Sequence, residues 1–203
     1  MTERRDANPK PPERRNYDGR MSRADATKAR ILQAATEEFA AYGIAGARVD
    51  RIAKAAAANK NLIYVYFCSK DQLFDAVFEA HVTHGLDSVP FTPDDLPEYA
   101  GQLFDYSRQH PEVTRLATWH RLERGGQESA ALSSPRAAKL EALAAVQKAN
   151  NMGAAFSPTA LLTLVLSIAL AWDPDNAADT PAATTESAED RRRAVVEAVR
   201  RLL

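Results

Sequence analysis

The stretch NKNLIYVYFCSKDQL, residues 59–73, is polar at its front, aromatic in its middle and basic on both flanks. Tyr64, Tyr66 and Phe67 stand between Lys60 and Lys70. Packing alone accounts for the aromatics but not for the polar ends, whereas contact with a polyanion accounts for both. Asn59 is a good helix N-cap, so a short helix is predicted through Phe67. Ser69 caps the next one, from Lys70 to about Thr83, with Leu73, Phe74, Val77 and Phe78 inward.

Working outward, residues 49–57 form another short helix by pattern, with Val49, Ile52, Ala53 and Ala56 on its apolar side. Ala57 and Ala58 make a tight connection. Upstream, Ile31, Leu32, Ala35, Phe39 and Tyr42 recur at helical spacing within 22–42. Ser22 caps that helix, Asp25 lies in its first turn, and Gly43 supplies a left-handed stop. Two short helices joined by a turn and braced by a longer one make a helix-turn-helix.

In that motif the second helix lies in the major groove with its N-terminal residues at base edges. Here those residues are Asn59, Lys60 and Asn61. Lysine donates to guanine and asparagine pairs with adenine. The hydroxyls of Tyr64 and Tyr66, and Lys70, suit phosphate oxygens; half-buried packing is the alternative for the tyrosines. Asn59 serves as cap, base contact or both. Phe67 belongs to the core.

The run from Arg30 to Phe78 resembles the DNA-binding domain of the TetR family of bacterial transcriptional regulators. Its landmarks are Ala35, Phe39, Gly43, Ile52, Ala53, Ile63, Tyr64, Phe67, Ser69, Lys70 and Leu73. They span one quarter of the chain; the rest matches in plan only. Three positions depart from the pattern. Ala57 stands where a turn glycine is common, which asks the turn for another conformation. Ala47 and Arg48 replace a threonine pair, losing a cap but offering Arg48 to a phosphate. Cys68 fills a turn position often held by Gly, Pro or Lys. The resemblance implies a rear domain that binds a small effector and dimerises, with the two DNA-reading heads changing spacing.

The fold class expected is all-α: a disordered basic arm over 1–21, a helix-turn-helix domain over 22–84, and a helical effector-binding and dimerisation domain over 85–203. The arm holds Pro9, Pro11 and Pro12 and no apolar periodicity. With four acids mixed in, it reads as a solvated tail, or an extension before an alternative start at Met21, rather than a DNA-brushing arm. Hydrophobic residues at 45% suffice for a buried core. Gly is scarce and Ala and Leu dominate, which favours helix. A single cysteine, Cys68, excludes an internal disulfide framework and fits a reducing cytoplasm. No signal peptide is readable, and the longest apolar run, 160–172, is interrupted by Thr163 and Ser167 and reads as a buried helix. Residues 1–81 hold 14 Lys+Arg against 11 Asp+Glu and the remainder 12 against 16, so the front is the half suited to a polyanion.

Beyond a linker marked by Pro90, Pro93 and Pro97, helices are predicted near 96–109, 112–125, 135–151, 157–172 and 186–203, with a flexible loop over 173–185. Pro111, Pro135 and Pro158 each fit a helix start. The helices of 96–151 are expected to enclose a pocket for a largely hydrophobic or aromatic ligand. Its candidates are Phe104, Tyr106, Leu116, Trp119 and His120, with Trp119 as wall and His120 or Tyr106 as anchor. A core role for Trp119 is the alternative. The 157–172 helix, apolar nearly all round, and the stripe Val195, Val196, Val199 and Leu202 are expected to meet a second copy.

The leading reading is a homodimeric repressor on a near-palindromic double-stranded DNA operator, released by a small effector. A DNA-binding regulator without an effector is the second. A helical-bundle enzyme is the third, and against it stand the lack of a nucleophile–base motif, a phosphate loop or a Glu-x-x-His metal motif. His81 and His84 are three apart, yet a metal would need further ligands; no cofactor or metal is expected.

Overall fold

The computed structural model describes residues 23–125, 129–150, 153, 155–172 and 186–203. The arm over 1–21, Ser22 as a cap and the loop over 173–185 lie outside the described residues. Among the described residues there are nine helices and no strand.

Helix α1 (Arg23–Gly46) carries Ile31, Ala35 and Phe39 on a fully buried face. Its helical course breaks at Gly43, whose φ of 70° and ψ of −175° suit a residue without a side chain. Helix α2 (Val49–Ala55) follows, then α3 (Lys60–Phe67) and α4 (Lys70–Ser88). The predicted caps are in place: Asn59 Oδ1 accepts from Asn61 N at 2.8 Å and Ser69 Oγ from Gln72 N at 3.1 Å. These helices close over one apolar cluster, where Phe39 meets Phe74 edge to face at 5.2 Å.

The rear half comprises α5 (Leu96–Gln109), α6 (Pro111–Glu123), α7 (Ala130–Asn150), α8 (Pro158–Ala169) and α9 (Ala188–Arg200). A capping box of Ser187 and Asp190 starts α9. Its Val195 and Val199 are fully buried in a second cluster with Tyr99, Phe104 and Leu161. Arg192 ties α9 to α5 through Glu98 at 2.6 Å and Asp105 at 2.7 Å.

Two expected boundaries differ. Helix α4 runs on to Ser88, so the expected division at 84/85 falls inside it; Gly85 stays helical beside the Tyr106 ring. Helix α7 begins at Ala130, leaving Pro135 inside it rather than at its start. At the sixth helical position a proline removes one backbone hydrogen bond and its ring crowds the carbonyl four residues back, a cost of about 3 kcal/mol that the rest of the fold must offset.

Candidate nucleic-acid interface and rear cavity

Helix α3 buries Ile63 and Phe67, and so turns Lys60, Asn61, Tyr64 and Val65 outward by its period. Tyr64 is 42% exposed and Val65 72%. Tyr66 is half-buried against the head cluster, where its ring meets Phe67 edge to face. The expected set therefore comes together as Asn59, Lys60, Asn61 and Tyr64 on one open face, with Tyr66 at its edge.

The charges around that face are not idle. Lys60 Nζ pairs with Asp50 Oδ1 of α2 at 2.8 Å, an exposed pair. The mutual hydrogen bond raises the lysine pKa and lowers that of the aspartate. Lys70 Nζ, expected at a phosphate, donates to the carbonyls of Ala45 and Ala47, both at 3.2 Å. The corner after Gly43 leaves those carbonyls outside a regular ladder, and the ammonium satisfies them. Arg48 is exposed at the N-cap of α2 and gives no side-chain cap. Glu38 of α1 instead holds the N-cap residue itself, accepting from Arg48 N at 2.8 Å, and accepts from the Arg51 side chain, Nε, at 2.7 Å. Burial acts to raise the Glu38 pKa, but the Arg51 and Arg48 hydrogen bonds outweigh it and hold the carboxyl below its ordinary value.

Sequence reasoning did not single out Leu62 and Val65, exposed apolar side chains on the same helix. Their signal was the spacing of Ile63 and Phe67, which commits the opposite face to solvent or to thymine methyls. Both turns around α3 hold left-handed residues with side chains, Ala57 at φ 48° and Cys68 at φ 60°.

The ligand candidates separate. A cavity of about 250 Å³ lies between α4, α5, α6 and α7. Tyr106 lines it, and Phe104 lines a neighbouring one beside Trp172. Leu116 is fully buried in the head cluster. Trp119 donates from Nε1 to Ala40 O at 3.3 Å and packs on Gly43, where a Cβ would lie 2.8 Å from its ring. His120 stacks on Phe78 at 4.5 Å. Leu116, Trp119 and His120 thus join α6 to the head and are not on the wall of this cavity, because the inward side of α6 meets α1 and α4; Trp119 lines a separate opening beside Ala40 and Leu122. Helical periodicity shows an apolar face but not which helix receives it. Residues missed by sequence reasoning include Val82, Leu86 and Lys139 on the cavity wall. His81, half-buried there, has Nε2 3.0 Å from Thr36 Oγ1.

Fold and geometry together define a helix-turn-helix protein with an exposed polar face on α3 and a ligand-sized cavity between α4 and the rear helices. Residues 31–77 match the family described as bacterial regulatory proteins, tetR family, and residues 95–201 match the tetracyclin repressor-like C-terminal domain. The chain belongs to the tetR family. It is similar to the HTH-type transcriptional repressor SCO4008 of Streptomyces coelicolor, 50% identical over 104 residues, which are 51% of this chain and 54% of that one. The HTH-type transcriptional repressor NicS of Pseudomonas putida is 36% identical over 108 residues, 49% of this chain and 50% of NicS. The chain spans about half the length of these curated relatives. The crystal structure of the putative transcriptional regulator SCO4942 from Streptomyces coelicolor superposes with a TM-score of 0.77 at 41% identity, covering 87% of this chain and 97% of that one. The family's members are regulators, not enzymes. No described helix is long and apolar enough to cross a membrane.

Proposed function

We propose that the protein is a repressor that binds a near-palindromic double-stranded operator as a homodimer and leaves it when a small, largely apolar ligand fills the rear cavity. The observation that carries the DNA reading is the open face of α3, with Asn59, Lys60, Asn61 and Tyr64 outward while Ile63 and Phe67 anchor the helix from behind. Lys60 and Asn61 have the chemistry to read base edges; Tyr64, Arg48 and the edge residue Tyr66 have that to hold phosphates. Lys70 supports the corner beside them through Ala45 and Ala47. Repression is the activity named for SCO4008 and NicS.

One chain carries one α3, and two successive major-groove faces lie about 34–36 Å apart, so two copies are required. Val195 and Val199 are used within the chain, which leaves the outer sides of α8 and α9, with Leu166 and Val196 half-buried, for the second copy.

Selection of bound sequences from a random DNA pool tests the reading. A recovered site with two-fold symmetry is expected. Lys60→Ala should relax preference at one base position by about 1–3 kcal/mol, while Tyr64→Phe should weaken all sequences alike. Unaltered DNA binding in both variants would sink the α3 assignment. Sedimentation of a monomer at micromolar concentration would sink the dimer.

A further inference from the structure

The cavity wall is apolar over most of its area, with Phe78, Val82, Leu86, Leu103 and Val113 among its residues. Its polar groups are few. Ser107 Oγ is bonded to Phe104 O, Thr114 Oγ1 to Pro111 O, and His81 is tied to Thr36. That leaves Lys139, Tyr99 and Tyr106. The Lys139 ammonium donates to Tyr99 Oη at 2.8 Å and lies 5.6 Å from the centroid of the Phe91 ring. It pairs with no carboxylate among the described residues, and none of the residues lining the cavity is acidic. The buried Tyr106 hydroxyl has no hydrogen-bond partner among the described residues.

A cation in an apolar wall without a counter-ion is costly, and an anion brought in by a ligand removes that cost. We propose that the cavity takes a small apolar anion, one ring or a short acyl chain bearing a carboxylate, whose head sits against the Lys139 ammonium and the Tyr99 hydroxyl. Two donors converge there, because Tyr99 accepts from the lysine and keeps its own O–H to give. The size agrees: a cavity of roughly 150 Å³ holds one benzene, so about 250 Å³ suits a ring with a short side chain. Burial also lowers the Lys139 pKa and pushes that of Tyr99 up to about 12; an incoming carboxylate favours the charged lysine and leaves the tyrosine its O–H to donate. This inference rests on the cavity being the effector site.

The test uses the full chain and three probes of one skeleton: phenylpropionate, phenylpropanol and phenylpropylamine. Calorimetry should find the carboxylate tightest by about tenfold, the scale of a charge-assisted hydrogen bond. Lys139→Met should abolish that preference and Lys139→Arg retain it; if the Met variant does not fold, Lys139→Gln gives the same reading. The proposal is overturned if the alcohol or amine binds as tightly as the carboxylate, if the preference survives in Lys139→Met, or if none of the three binds at millimolar concentration. The first two outcomes leave the cavity a ligand site. The third removes it, and operator binding by the same sample shows whether the DNA reading stands alone.

Discussion

The Glu123 carboxylate at the end of α6 accepts the backbone N–H of Ala45 at 2.7 Å, and with its other oxygen that of Ile44 at 3.1 Å. The two donors follow the break at Gly43, so a rear-domain side chain acts as the cap for the last turn of a head helix. One residue later, Arg124 holds Asp75 of α4 at 3.1 Å. The last turn of α6 therefore grips both α1 and α4, while its first turns, through Val113 and Thr114, line the cavity.

Glu123→Ala should lower stability by about 1 kcal/mol, the usual cost of a lost helix cap. It should also shrink the factor by which a cavity ligand changes DNA affinity. Urea unfolding reads the first and a DNA titration with and without phenylpropionate the second. An unchanged factor would show that coupling runs through α4 alone.

Ala57→Gly should stabilise the head by about 1 kcal/mol, because an alanine at φ 48° bears a left-handed penalty that glycine escapes. A higher melting temperature checks it; a lower one would mean that the added chain entropy of glycine outweighs the strain relieved.

Asp50→Asn should tighten DNA binding at low salt. It frees Lys60 from its ion pair and takes a negative charge off the edge of the α3 face. The pair is exposed, so the fold should hold. Affinity equal to wild type at every salt concentration would place Lys60 away from DNA.

Acidification should weaken the head–rear junction. Burial, above all, holds the pKa of His81 and His120 below the ordinary 6.5, helped for His120 by Arg124. The unfolded chain then binds protons that the folded one does not. Stability is complete above pH 6.5 and falls as pH drops from there through the lowered folded values. His120→Phe, which keeps the stack on Phe78, should flatten part of that fall in melting curves; an identical slope would assign it elsewhere.

The head was legible because local signals and packing agree there. Asn59 and Ser69 announce two helix starts, and the spacing of Ile63 and Phe67 fixes which side of α3 is open. The Lys60–Asp50 pair was not legible, since it depends on the angle between α2 and α3. In the rear half, Pro135 signals a helix start that lies five residues earlier. The cavity lies against the expected helices of 96–151, but its wall residues were harder to read for a related reason. Trp119 and His120 mark an apolar side of α6, yet only tertiary packing decides that this side faces Ala40, Gly43 and Phe78. Lys139 carried no sequence signal, because a lysine in a helical pattern ordinarily reads as solvent-facing.

Helix α3 hangs between two left-handed joints, Ala57 and Cys68, and has eight residues with Ile63 and Phe67 as its buried anchors. So short a helix owes its order to packing rather than to its own ladder. In amide exchange the protection of α3 should lie well below that of α1 and α4 and should rise sharply once DNA covers Tyr64 and Val65. Operator binding would then include a measurable ordering step, and affinity could be raised from the rear of the helix, by relieving its joints, without touching a side chain that faces the groove.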